Sequence, residues 1–130
     1  YPRRTLRKIV EAGAQAGIAL NPATPLPDLV YLRPYLNFVL ILTSEPEAPD
    51  YPFLPTVLEK VRQGRQQPGL EGVEWVVDGG IDVQNLPLVI NAGVDTLVIG
   101  RAIFKDNAIL ANLHRIRQVL SEVLPHATSS

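Results

Sequence analysis

The sequence contains no cysteine and no methionine, and its only histidines are His114 and His126. Without cysteine there is no disulfide framework and no thiolate metal site, so a metal must rely on carboxylates, on these two imidazoles or on groups outside the chain. Without methionine, residue 1 is not an initiator, and the chain is expected to be cut from something longer. An excess of charge of either sign is also missing: twelve basic residues against thirteen acidic ones leave a formal charge of −1 at pH 7. That balance excludes a broad electrostatic footprint for nucleic acid or an anionic membrane and leaves room for a small anion site. No apolar run approaches the ~20 residues that a membrane span needs, and the opening YPRRTLRKIV has no signal-peptide core. A soluble, cytoplasmic protein with no nucleic-acid or membrane partner is the expectation.

What is present is a 130-residue chain that is 46% apolar, enough for one domain with a real core. Apolar residues at Leu6, Ile9, Val10 and Ala14 predict a surface helix over 4–16. GIAL (17–20) reads as a short buried strand and NPATPLP as a loop. Thr24 and Pro25 then cap a short helix reaching about Tyr35. FVLIL (38–42) is a continuous apolar run of the kind expected for a strand covered on both faces, and VEWVV (73–77) and DTLVI (95–99) read as a third and a fourth strand. Helical patterns fill 56–66, 83–92 and 107–124. The order is one helix followed by four β-α units, which argues for a parallel sheet. EAGAQAGIAL and INAGVDTLVIG echo each other, with Gly13 and Gly93 as helix C-caps. Four such units form either a small open sheet or half of an eight-fold barrel, since a complete barrel needs roughly 250 residues.

Two segments carry candidate chemistry. In VVDGGID, Asp78 follows an apolar strand at the end where α/β folds place their sites, and Gly79 and Gly80 let backbone amides approach an anion. The alternative is that Asp78 only hydrogen-bonds loop amides and the glycines only turn the chain. In VIGRAIF, Gly100 and Arg101 fall at the equivalent place one unit later. In barrels, the loops after the last two strands commonly bind phosphate, and an arginine there adds a charge-assisted contact, unless it is a solvated surface residue. His114 reads as a surface or helix-packing residue and Trp75 as core. Arg3, Arg4, Arg7 and Lys8 read as a solvated helix face or as an interface.

The segments AGIALNPATPLPDL, FVLILTSEP, FLPTVLEKVR and VVDGGIDVQNLPLVINAGVDTLVIGRAIF, in this order and at this spacing, resemble the C-terminal half of the ribulose-phosphate 3-epimerase family. The likeness extends over residues 4–122. It implies an α/β fold, the C-terminal half of a TIM (βα)8 barrel, with residues 1–130 as a single partial domain. In that family two aspartates move a proton at C3 to interconvert D-ribulose 5-phosphate and D-xylulose 5-phosphate, a step of the pentose phosphate pathway. A divalent metal (zinc, iron, cobalt or manganese), held by both aspartates and two histidines, stabilises the enediolate. The resemblance therefore implies acid/base and metal-ligand roles for Asp78, and phosphate binding by Gly79, Gly80, Gly100 and Arg101.

The sequence departs from the family in three ways. Arg101 stands where the family usually has serine. The glycine-rich flap after the family's sixth strand reads EPEAPDYP here, with Glu47, Ala48, Pro49 and Asp50 in place of its turn, and Leu42 replaces a methionine. The first four strands, both histidines and the other aspartate have no counterpart. Alone, the chain is expected to be inactive and to pair with another copy through its open sheet, as a homo-oligomer. The other reading is a non-enzymatic barrel or half-barrel that keeps phosphate binding or an assembly role.

Overall fold

A computed structural model describes residues 1–45 and 52–123. Four strands, β1 (Gly17–Leu20), β2 (Phe38–Leu42), β3 (Glu74–Asp78) and β4 (Thr96–Val98), form one sheet. They lie in the order β1-β2-β3-β4, and all three pairs are parallel. Helices α1 (Pro2–Glu11), α2 (Glu59–Gln66), α3 (Leu86–Asn91), α4 (Arg101–Phe104) and α5 (Ile109–Val123) complete the described residues, with 3₁₀ turns at Arg33–Tyr35, Pro55–Leu58 and Lys105–Asn107. Sequential order with parallel pairing is the topology of four consecutive units of a (βα)8 barrel.

The strand sequences decide which face is covered. Along β3, Trp75 and Val77 are buried to 1% and 0% exposure, and they share a layer with Val39 and Ile41 of β2. Together with Leu58, Val61, Leu86 and Val89 they make the core between sheet and helices. Because side chains alternate along a strand, Ala19, Leu40, Val76, Thr96 and Val98 point the other way. That second face is open: Ala19 is exposed and Val98 is 42% exposed. The indole of Trp75 fills the space over Gly64 of α2, where a Cβ would meet the ring, and the Phe38 ring covers Gly17 in the same way.

The ends of the strands opposite the candidate residues are tied by polar side chains. Asn37, just before β2, accepts from the Ala16 amide through its Oδ1 at 2.8 Å. Asp95, just before β4, accepts from the Trp75 amide at 2.8 Å and is ion-paired with Arg65. Arg65 Nε also donates to the Gly93 carbonyl at 2.7 Å, which joins α2 to the turn after α3. At the other end of the sheet, Lys60 donates to the Asn21 and Pro22 carbonyls at 3.0 and 2.7 Å and fixes the loop after β1; its burial lowers its pKa from the usual lysine value. The echoed Ala-Gly pairs are helix ends, with Gly13 and Gly93 at φ of +90° and +94°, the left-handed conformation that glycine adopts at least cost.

Some expected elements are corrected. The helix predicted to start at Thr24 and Pro25 does not form. Pro25 and Pro27 interrupt it, the Thr24 amide closes a turn on the Asn21 carbonyl, and only the turn Arg33–Tyr35 remains, anchored by buried Leu29, Leu32 and Leu36. The helix predicted over 107–124 begins at Ile109, because Asp106 and Asn107 take φ of +57° and +54°; these are residue types that tolerate the left-handed region. A separate α4 precedes them. The first helix ends at Glu11, five residues before its predicted limit, because Gly13 terminates it. Trp75 is core, as expected, and His114 is exposed. Arg4, Arg7 and Lys8 are exposed, whereas Arg3 packs over the Tyr31 and Tyr35 rings at 5.1 Å from each centroid.

Replacing Gly64 with alanine separates packing from propensity. Alanine favours a helix by about 1 kcal/mol, but its Cβ must displace the indole, so a net loss of about 1–2 kcal/mol in urea unfolding is expected.

Candidate functional site

At the C-terminal ends of β2, β3 and β4 an open cleft of about 1110 Å³ brings together Asp78, Gly79, Gly80, Gly100 and Arg101. Its size is just above the ~300–1,000 Å³ of enclosed small-molecule sites, consistent with its open side. Every residue singled out in the two sequence segments lines this one space. The sheet explains why: Asp78 is paired with Val98 and Leu42 across the register, so the turns after β3 and β4 leave the sheet side by side.

The loop from Asp78 to Asn85 is rigidly tied, and Asp78 takes no part in the tying through its side chain. Asp82 Oδ1 accepts from the amides of Gln84 and Asn85, both at 3.0 Å. Asn85 Oδ1 accepts from the Asp82 amide at 2.9 Å, and its Nδ2 donates to the Gly80 carbonyl at 2.8 Å. Just after β2, the Thr43 amide donates to the Asp78 carbonyl at 2.8 Å, and the Thr43 hydroxyl donates to the Gly79 carbonyl at 2.6 Å. The Asp78 carboxylate has no hydrogen-bond or ion-pair partner among the described residues. It is half-buried on the face that β3 turns away from the core, and it opens onto the cleft. The reading of Asp78 as an anchor for loop amides fails on this point, since Asp82 does that work.

Gly79 and Gly80 both have positive φ, +128° and +68°. A Cβ on Gly79 would meet the Ser44 side chain and come within 2.8 Å of the Ser44 backbone nitrogen, so only glycine fits. At Gly100 a Cβ would meet nothing within 4 Å; glycine there leaves the cleft wall free of a side chain. Arg101 begins α4 beside it and is exposed. Ser44 and Phe53 are joined by an isolated antiparallel bridge, and the Leu54 amide donates to the Thr43 carbonyl at 2.7 Å. The flap departures at Glu47, Ala48, Pro49 and Asp50 lie outside the described residues, as does His126.

Sequence reasoning missed Thr43, Ser44, Asp82 and Asn85. The signals were there: Thr-Ser directly follows the apolar run of β2, and Asp82 with Asn85 three residues later has the pattern of an Asx turn. As for a metal, Asp78 offers one oxygen donor, and among the described residues no group of three or more His, Cys, Asp or Glu side chains converges to hold an ion. The described residues by themselves therefore do not make a metal centre.

Residues 1–104 match the Ribulose-phosphate 3 epimerase family. The chain is 34% identical over 126 residues to the ribulose-phosphate 3-epimerase of Methanocaldococcus jannaschii, covering 95% of this chain and 54% of the relative. It is 41% identical over 103 residues to that of Synechocystis sp., covering 78% and 45%. It is 35% identical over 122 residues to that of Escherichia coli K12, covering 92% and 54%. The chain thus spans about half the length of the curated relatives it matches. Among solved structures, thiamine phosphate pyrophosphorylase from Pyrococcus furiosus superposes with a TM-score of 0.45 at 20% identity, over 92% of this chain and 65% of that one. The chain belongs to the ribulose-phosphate 3-epimerase family.

Replacing Asp78 with alanine is expected to change unfolding stability by less than about 0.5 kcal/mol, whereas Asp82→Ala, which frees two amides, costs about 1–2 kcal/mol. Denaturant unfolding of both variants checks this, and an equal loss for Asp78 would restore it to the role of loop anchor.

Proposed function

We propose, starting from this family membership, that the chain supplies the phosphate site and one of two acid/base carboxylates of a ribulose-phosphate 3-epimerase. The observation that carries the reading is the Asp78 carboxylate, without a partner among the described residues, on a loop held in place by other residues and in the same cleft as Gly79, Gly80, Gly100 and Arg101. The substrate is D-ribulose 5-phosphate or its C3 epimer D-xylulose 5-phosphate. Its phosphate rests on the backbone around Gly79, Gly80 and Gly100, with Arg101 adding a charge-assisted contact.

Asp78 then takes the proton from C3 as a carboxylate. The C–H electron pair moves into a C2–C3 double bond, and the C2 carbonyl oxygen becomes an enediolate oxygen. A second acid on the opposite face of the substrate returns a proton to C3 with inverted configuration; in the reverse direction Asp78 is the donor. Each carboxylate must act in both forms, which is the general acid/base requirement. The family implies a divalent metal, which when bound supplies charge stabilisation to the enediolate; toward it this chain contributes Asp78.

The second acid and the remaining metal ligands lie outside these residues. The open sheet face at Ala19 and Val98, and the free edges of β1 and β4, take the remaining four βα units of the barrel. On this reading residues 1–130 are one partial domain, and in isolation they associate with a second copy through the same edges. The flap residues Glu47 to Asp50 favour a second reading, a barrel that binds phosphate without epimerising, because two carboxylates there oppose an anionic substrate.

A coupled assay for xylulose 5-phosphate, with added divalent metal, is expected to show activity in the complete protein and none in the 130-residue chain. Asp78→Asn in the complete protein should lower kcat by about 10²–10⁴-fold with KM little changed. Activity in neither form, with phosphate binding retained, would select the second reading.

A further inference from the structure

Ser44 is 5% exposed. Its backbone is fixed on one side by the bridge to Phe53, and its side chain lies against the Cα of Gly79. Its hydroxyl makes no hydrogen bond among the described residues. No fully buried side-chain oxygen or nitrogen there lacks a partner, so this hydroxyl is not sealed in the core. Its remaining exposure opens onto the cleft that Ser44 lines with Asp78, Gly79 and Gly80. The neighbouring hydroxyl, on Thr43, is fully buried and spent on the Gly79 carbonyl at 2.6 Å. Two adjacent hydroxyls therefore have different positions: one holds the glycine turn, and the other stands beside it with its donor unused.

A hydroxyl that is 5% exposed and faces a cleft has little room for water, and an oxygen that only accepts suits its unused donor. We propose that Ser44 is a further ligand contact of this site, its hydroxyl donating to a phosphate oxygen of the sugar phosphate held at Gly79, Gly80 and Gly100. This rests on the phosphate reading above and adds a residue to it. Phosphate fits better than a sugar hydroxyl because Ser44 lies against the glycine turn, and phosphate oxygens leave the serine with the single role of donor. The contact is neutral, so it adds direction to the site and leaves the charge to Arg101.

Calorimetric titration of the complete protein with inorganic phosphate and, separately, with D-ribulose 5-phosphate tests this. Ser44→Ala is expected to raise Kd for both by the same factor, about three- to tenfold, with the unfolding midpoint unchanged. Ser44→Cys, which keeps the shape with a weaker donor, should fall between the two, and it decides the matter if the alanine variant does not fold. Unchanged affinity for phosphate in a folded variant overturns the role of Ser44 alone, as does a loss confined to the sugar phosphate. Failure of the wild type to bind phosphate overturns the phosphate reading and this inference with it.

Discussion

The fit of Trp75 over Gly64 determines which way β3 faces, and the candidate site depends on that choice. With the indole buried against α2, strand alternation sends Val77 into the same core and sends Val76 and Asp78 to the opposite side. A slip of one residue would bury the carboxylate and expose the tryptophan. The Asp95 carboxylate reinforces the register from the far end of the strand by accepting from the Trp75 amide while paired with Arg65. The packing of one large side chain into the space left by a missing one thus presents an acid to the cleft, some three residues further along.

The site shows a division of labour that composition alone does not suggest. Asp82 uses its side chain on the amides of Gln84 and Asn85, and Asn85 and Thr43 donate to the Gly80 and Gly79 carbonyls. Asp78 and Ser44 leave theirs for whatever enters. The arrangement suits a general base, because hydrogen bonds donated to a carboxylate favour its charged form and weaken it as a base, whereas one positioned by its neighbours keeps its basicity. The two consecutive positive-φ glycines have a matching logic: the turn they form is tight enough that Ser44, just after β2, excludes any side chain at Gly79.

Much of this was legible in the sequence because local rules and global fold agree. Short segments dominated by apolar residues gave the four strands, the Ala-Gly pairs gave two helix ends, and the glycines after the last two strands gave the cleft. The errors have local causes. The helix predicted at Thr24 failed because three prolines and three buried leucines satisfy that segment as turns, which a cap-and-proline signal does not anticipate. The last helix was predicted to start two residues early, at Asn107, because only the fold demands the positive φ there. The partners of Asp78 were invisible for another reason: Thr43 and Asp78 are far apart in sequence and meet only through the register of β2 on β3.

On the proposed function, a sugar phosphate binds where the turns after β3 and β4 meet, with Asp78 against it. Residue-resolved amide shifts of the complete protein, titrated with D-ribulose 5-phosphate, test it directly. The account predicts that the largest changes fall on Gly79, Gly80 and Gly100, with Asp78 and Ser44 next. Saturation with those amides unmoved, or with the changes centred elsewhere on the barrel, would contradict it.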